Sequence, residues 1–121
     1  MAKIHTYTAN EVVQVIAENR GLLLVHFGSP LASSCDFVHK ELEMIAPVFE
    51  ERLQLAEVEL PLQDVEVLRR YSIEEIPTVI LFRGATEVER LEQIFLPEEF
   101  REYLETCVSF YGGNESSDVL E

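Results

Sequence analysis

Cys35 closes the stretch "PLASSC" (30–35), which follows the apolar run "LLLVHF" (22–27) and stands where a helix should begin. A thiol near a helix start can do nucleophilic or redox chemistry, because free amides and the helix dipole favour the thiolate. Disulfide exchange needs one thiolate to attack and a second to release the mixed disulfide. Three positions before Cys35, where that second sulfur would complete a redox pair, the residue is Ala32. Ser33 and Ser34 lie between the two. With His26 they make no serine-nucleophile triad in sequence terms, and helix capping is the better role for them. Cys107 falls beside Leu104 and Val108 at helical spacing and reads as core. With so few cysteines and histidines no zinc-ligand spacing emerges, so neither a metal nor a cofactor is expected. His5 and His39 read as exposed singletons without a role.

The elements that must position Cys35 follow from periodicity. Thr8 and Glu11 make a capping-box pattern, and Val12, Val13, Ile16 and Ala17 continue it as a helix that Gly21 stops. "LLLVHF" is apolar throughout, as in a strand buried on both faces. A helix is predicted over 34–50, with Phe37, Val38, Leu42, Ile45 and Phe49 inward and Pro47 kinking or ending it. "LQLAEVEL" (53–60) alternates like a strand, and a helix carrying Val65, Leu68 and Tyr71 follows. "PTVILF" (77–82) is a second buried strand, turned by "RGAT" into the alternating "EVERLEQIF" (87–95). Pro97 suits the first turn of a last helix with Phe100, Leu104, Cys107 and Val108 inward. Parallel β-α-β crossovers ending in a hairpin backed by a helix imply an α/β fold: a central mixed sheet flanked by helices on both faces.

The chain has 121 residues, 47% of them apolar, which suits one domain able to bury a core. That domain is expected over 1–110, followed by an acidic, disordered tail over 111–121. Nine lysines and arginines against 23 acids give a net charge of −14. Such a surface repels phosphate backbones and anionic lipid, so nucleic-acid and membrane binding are not expected. "MAKIHTYTAN" has no apolar signal region and the apolar runs are too short to span a bilayer, so a cytoplasmic location is expected.

That element order, with "LLLVHF", the helix-start cysteine, "YSIEEIPTVILFRG" (71–84) and "FLPEEFREYL" (95–104), resembles the thioredoxin family over roughly residues 8–108. The resemblance implies a thioredoxin-like fold and a cis peptide bond between Ile76 and Pro77, facing the active-site loop. That loop in the family reads Trp-Cys-Gly-Pro-Cys, and "LASSC" (31–35) stands in its place. By this alignment Leu31 replaces the tryptophan and Ala32 the attacking cysteine. Ser33 and Ser34 replace Gly-Pro, and Cys35 matches the resolving cysteine. Asp36 stands where many members have a basic residue. The resemblance also sets His26 and Glu57 at the family's buried acid and neighbouring lysine, with the two charges swapped. It puts Gln93 and Ile94 where the family keeps glycine and a small apolar residue. It further implies that the helices bearing Cys35 and Cys107 lie on opposite faces of the sheet, which disfavours a disulfide between them.

Two readings of Cys35 stay open: a small buried hydrophobe left from a dithiol ancestor, or a single reactive thiol uncovered by Ala32. Likewise His26 and Glu57 either meet beneath Cys35, with Glu57 stabilising the imidazolium, or are a lone core histidine and an unrelated exposed acid. The leading functional expectation is a redox-degenerate thioredoxin-like protein. It would bind a protein partner or client through Leu31, Ala32, Ser33, Ser34, Ile76, Pro77, Gln93 and Ile94. The alternatives are a monothiol redox protein using Cys35, tuned by His26 and Glu57, and a structural subunit or assembly factor.

Overall fold

Among the described residues, nine elements make one mixed five-stranded sheet with helices on both faces. The computed structural model describes residues 4–29, 33–49, 52–60, 65–92 and 97–112. In chain order they are β1 (Ile4–Tyr7), α1 (Ala9–Glu18), β2 (Leu22–Gly28), α2 (Ser33–Phe49), β3 (Gln54–Glu59), α3 (Val65–Arg70), β4 (Thr78–Arg83), β5 (Thr86–Leu91) and α4 (Pro97–Gly112). The strand order is β1-β3-β2-β4-β5. β1, β3 and β2 run parallel, whereas β4 is antiparallel to β2 and to β5. β2 is buried at every residue, as its unbroken apolar run demands of a central strand.

The pleat divides the core in two. Leu22, Leu24, Leu55, Val79 and Leu81 face α2 and α4, where Val38, Leu42, Ile45, Phe49, Phe100, Leu104, Cys107 and Val108 meet them. Leu23, Val25, Phe27, Ala56, Val58 and Ile80 face α1 and α3, packing on Val12, Ile16 and Val67. α2 and α4 therefore share one face, contrary to the expectation that they oppose each other. The cause is the crossover: β3 lies beside β2 with α2 over that side, and α4 packs on the same side. Both cysteines are free.

Other differences are local. β1 was not foreseen: "IHTY" is four residues long and half exposed, so it carries little apolar signal, yet it extends the sheet beside β3. Val67 in α3 is buried and Leu68 and Tyr71 are partly buried against the core, while the expected burial of Val65 lies outside the described residues. Phe37 is also partly buried. Pro47 falls in the last turn of α2, where it removes one i→i−4 donor near the helix end, and the helix ends at Phe49. The capping box of α1 is formed, Glu11 N–H donating to Thr8 Oγ1 at 3.1 Å and Thr8 N–H to Glu11 Oε1 at 2.9 Å. The tail beyond residue 112, and the strand extension over 93–95, lie outside the described residues.

Leu42 is wholly buried where α2 meets the sheet. Leu42→Ala is expected to lower stability by about 2–5 kcal/mol. Chemical denaturation reads this directly, and a loss under about 1 kcal/mol would contradict the packing described.

Candidate functional site

Sheet register builds the site. Residues of even number on β2 and odd number on β3 face α2, and His26 pairs directly across from Glu57 in the parallel ladder. His26 is 3% exposed among the buried residues. Its Nδ1 stands 2.9 Å from Glu57 Oε2. Because a carboxylate only accepts, Nδ1 carries the proton and donates. His26 and Glu57 thus meet on the helix-facing side of the sheet, on the same side as Cys35.

A second imidazole completes the cluster. His39, one turn after Cys35 on α2, places Nδ1 2.8 Å from both oxygens of Glu57. Its Nε2 lies 3.3 Å from Glu43 Oε2. His39 is therefore no isolated surface residue. The signal in the sequence was its spacing: Cys35 and His39 are four apart and share a helix face. The hydrogen bond to Glu57 is the main cause that raises the His39 pKa above 6.5, ahead of the opposing effect of burial. Burial pushes Glu57 upward, but the hydrogen bonds and charges of the two histidines outweigh it and hold its carboxyl below 4.5.

Cys35 is 7% exposed. The backbone N–H of Ser29 donates to its Sγ at 3.3 Å. Burial raises the thiol pKa above 9.0. The Ser29 bond opposes that rise, and the Asp36 and Glu57 charges add to it. A thiol so placed stays protonated at neutral pH. It lines an open cavity of about 280 Å³ with Thr6, His26, Gly28, Asp36, His39, Glu57 and Glu59. Gly28 leaves the necessary room. A Cβ there would stand 3.0 Å from Cys35 Sγ and 3.0 Å from His26 Nε2. Cys107 sits elsewhere on that face, near Tyr103 and Glu89, and burial raises its thiol pKa as well.

Of the remaining anticipated residues, Ile76 and Pro77 are partly buried just before β4, and the bond between them is cis. They follow a loop held by Arg90, whose guanidinium donates to the carbonyls of Tyr71 and Ser72 and to Glu87. Arg90 was not anticipated, since alternation along "EVERLEQIF" marks only an edge strand. Ser33 and Ser34 open α2. Leu31, Ala32, Gln93 and Ile94 lie outside the described residues. Among the described residues no group of three or more His, Cys, Asp or Glu could hold a metal ion. None of the described helices is long and apolar enough to cross a membrane.

Two outcomes follow from this geometry. The raised His39 pKa gives stability that is full below 6.5 and is lost as pH rises through the raised value. The lowered Glu57 pKa gives stability that is full above 4.5 and is lost as pH falls through the lowered value. Glu57→Gln should return the His39 midpoint toward 6.5 in an NMR titration, and an unmoved midpoint would break the assignment. Gly28→Ala should cost about 1–3 kcal/mol by overpacking against Sγ and Nε2, read as a shifted denaturation midpoint. An unchanged midpoint would mean that the space over Gly28 is not shared as described.

The comparisons agree with this architecture. The thioredoxin family model matches residues 3–106. Glutaredoxin-3 of Homo sapiens is 32% identical over 80 residues, covering 65% of this chain and 23% of that protein. Glutaredoxin-3 of Bos taurus is 31% identical over 80 residues, with the same coverage. That of Mus musculus is 30% identical over 82 residues, covering 67% of this chain and 23% of the relative. The chain thus spans less than a quarter of the length of these curated relatives. With a family model matched over most of its length and the mixed sheet it builds, this chain belongs to the thioredoxin family.

Proposed function

We propose that this thioredoxin-fold protein does not carry out dithiol–disulfide exchange and binds a protein partner or client at the edge formed by Ile76, Pro77 and the start of α2. The observation that carries the reading is Cys35: buried, and with its pKa raised by burial and by two neighbouring carboxylates. Exchange requires an exposed thiolate to attack and a second thiol to resolve. Ala32 offers no sulfur for the first step, and Cys35 is poorly placed to take it over. The backbone before β4 supports the binding half of the reading. Ile76 and Pro77 are partly exposed and precede a rigid strand, a setting in which an extended peptide can pair by main-chain hydrogen bonds.

A second reading has one observation in its favour. Cys35 lines an open cavity beside His26, so a small reagent could reach a single reactive thiol there. In that case Cys35 would form mixed disulfides or respond to oxidants as a monothiol redox protein.

Two assays on the same preparations separate the readings. One follows reduction of a disulfide-linked fluorescent peptide by dithiothreitol, and the other follows aggregation of a chemically unfolded test protein. The expected result is no catalysed reduction, with aggregation suppressed equally by the wild type and by Cys35→Ser. Ile76→Ser should weaken suppression at least about fivefold, a modest loss of contact energy of about 1 kcal/mol. Exposed Glu75→Arg serves as a second edge variant should Ile76→Ser unfold. Reduction that depends on Cys35 would overturn the proposal in favour of the monothiol reading. Suppression indifferent to both edge variants would overturn the assignment of the edge.

A further inference from the structure

The β4–β5 hairpin carries an irregularity whose effect lies ahead of Pro77. Glu87 pairs with Phe82 and Glu89 with Leu81, so Val88 falls outside the pairing. Such a β-bulge shifts the alternation of side chains along its strand. Glu87 and Arg90 would face opposite sides of a regular strand. With the bulge between them, Glu87 pairs with Phe82 and Arg90 with Ile80, two residues of the face that carries α1 and α3. Both side chains come to that face. There Arg90 Nε donates to Glu87 Oε2 at 2.8 Å and Nη2 to Oε1 at 2.7 Å.

The fork so oriented meets the end of α3. Ser72 N–H donates to the Arg69 carbonyl at 3.2 Å and Ile73 N–H to the Leu68 carbonyl at 2.8 Å, the pattern that closes a helix through one left-handed residue. Glycine usually takes that position, but here it is Ser72, with a φ of 53°. A side chain in this region persists only where its surroundings hold it. Arg90 supplies the hold: Nη1 donates to the Ser72 carbonyl at 2.9 Å and Nη2 to that of Tyr71. The Tyr71 ring lies against Phe27 and Phe82, with centroids 5.4 and 6.0 Å away. At the start of β4, Thr78 Oγ1 donates to the Glu75 carbonyl. The segment bearing Ile76 and Pro77 is therefore pinned at both ends, and the Arg90 end depends on a bulge in the next strand.

We propose that Arg90, oriented by Glu87, is a positioning residue for the Pro77 edge: it sets the affinity for a partner by holding the loop, not by touching the partner. The partner half of this claim rests on the function proposed above. Guanidinium suits the task because its planar fork serves two carbonyls and a carboxylate at once, whereas an ammonium is a compact point charge. Its charge also stands at the carbonyl end of α3, where a cation is favoured.

The test compares the wild type, Arg90→Gln and Glu87→Ala on the full chain in two measurements. The first is amide hydrogen exchange by NMR, read as the ratio of the Ser72 and Ile73 rates to that of Val25 in β2. Arg90→Gln should raise this ratio at least about fivefold and Glu87→Ala at least about twofold. Leu42→Ala, a destabilising change on the opposite face, should not raise it, so the ratio separates opening of the loop from a general loss of stability. The second is the aggregation assay, where the concentration for half suppression should rise at least about threefold for Arg90→Gln. An unchanged exchange ratio in both variants, an equal rise in Leu42→Ala, or unaltered half suppression despite faster exchange would each overturn the positioning role. A wild type that suppresses no aggregation would overturn the function proposed above and the affinity claim with it, and the exchange ratio would then decide by itself whether Arg90 holds the loop.

Discussion

One carboxylate, shared by two imidazoles, fixes the chemistry of this fold's characteristic loop. Glu57 is carried by β3 to the side of the sheet that α2 covers, and there it receives His26 from the neighbouring strand and His39 from the helix. A lone carboxylate in such a place would be costly to desolvate. Two donors offset that cost, so the group stays ionised below the helix start. The same arrangement ties α2 to the sheet by something other than apolar contact. Apolar packing would allow some sliding of the helix, whereas the hydrogen bond from His39 to Glu57 specifies its position.

The consequence for Cys35 is negative. Attack on a disulfide asks for a thiolate, and a thiolate asks for exposure and nearby positive charge. Here the thiol is buried and faces two carboxylates. The histidines do not reverse this, because Glu57 engages both. The Ser29 N–H bond favours the anion, but it does not outweigh burial. Around Cys35 stand a loop clamped by Arg90 ahead of Pro77 and a cavity shared with His26, His39 and Glu57.

Much of this was legible in the residues. "LLLVHF" could only be a central strand, and "YSIEEIPTVILF" carried the family resemblance. His26 and Glu57 were brought together by alignment, and the register places them opposite each other. The features that escaped were those decided by tertiary context. β1 carries too little apolar residue for periodicity to mark, and it exists because β3 offers it an unpaired edge. The face shared by α2 and α4 is a matter of tertiary packing that no local pattern encodes. The spacing of His39 from Cys35 puts the two on one helix face, but its role emerges only with Glu57 lying beneath it. Arg90 was hidden in the same way, since its partners are the carbonyls of Tyr71 and Ser72, distant in the chain.

Burial and the neighbouring carboxylates keep Cys35 protonated at neutral pH. Ultraviolet absorbance of the thiolate, followed against pH in a Cys107→Ser protein, measures it directly. A midpoint above 9.0, lowered when Glu57 and Asp36 are neutralised to Gln and Asn, is the predicted result. A midpoint below neutrality in the otherwise native protein would contradict it, and Cys35 would then have to be regarded as a nucleophile.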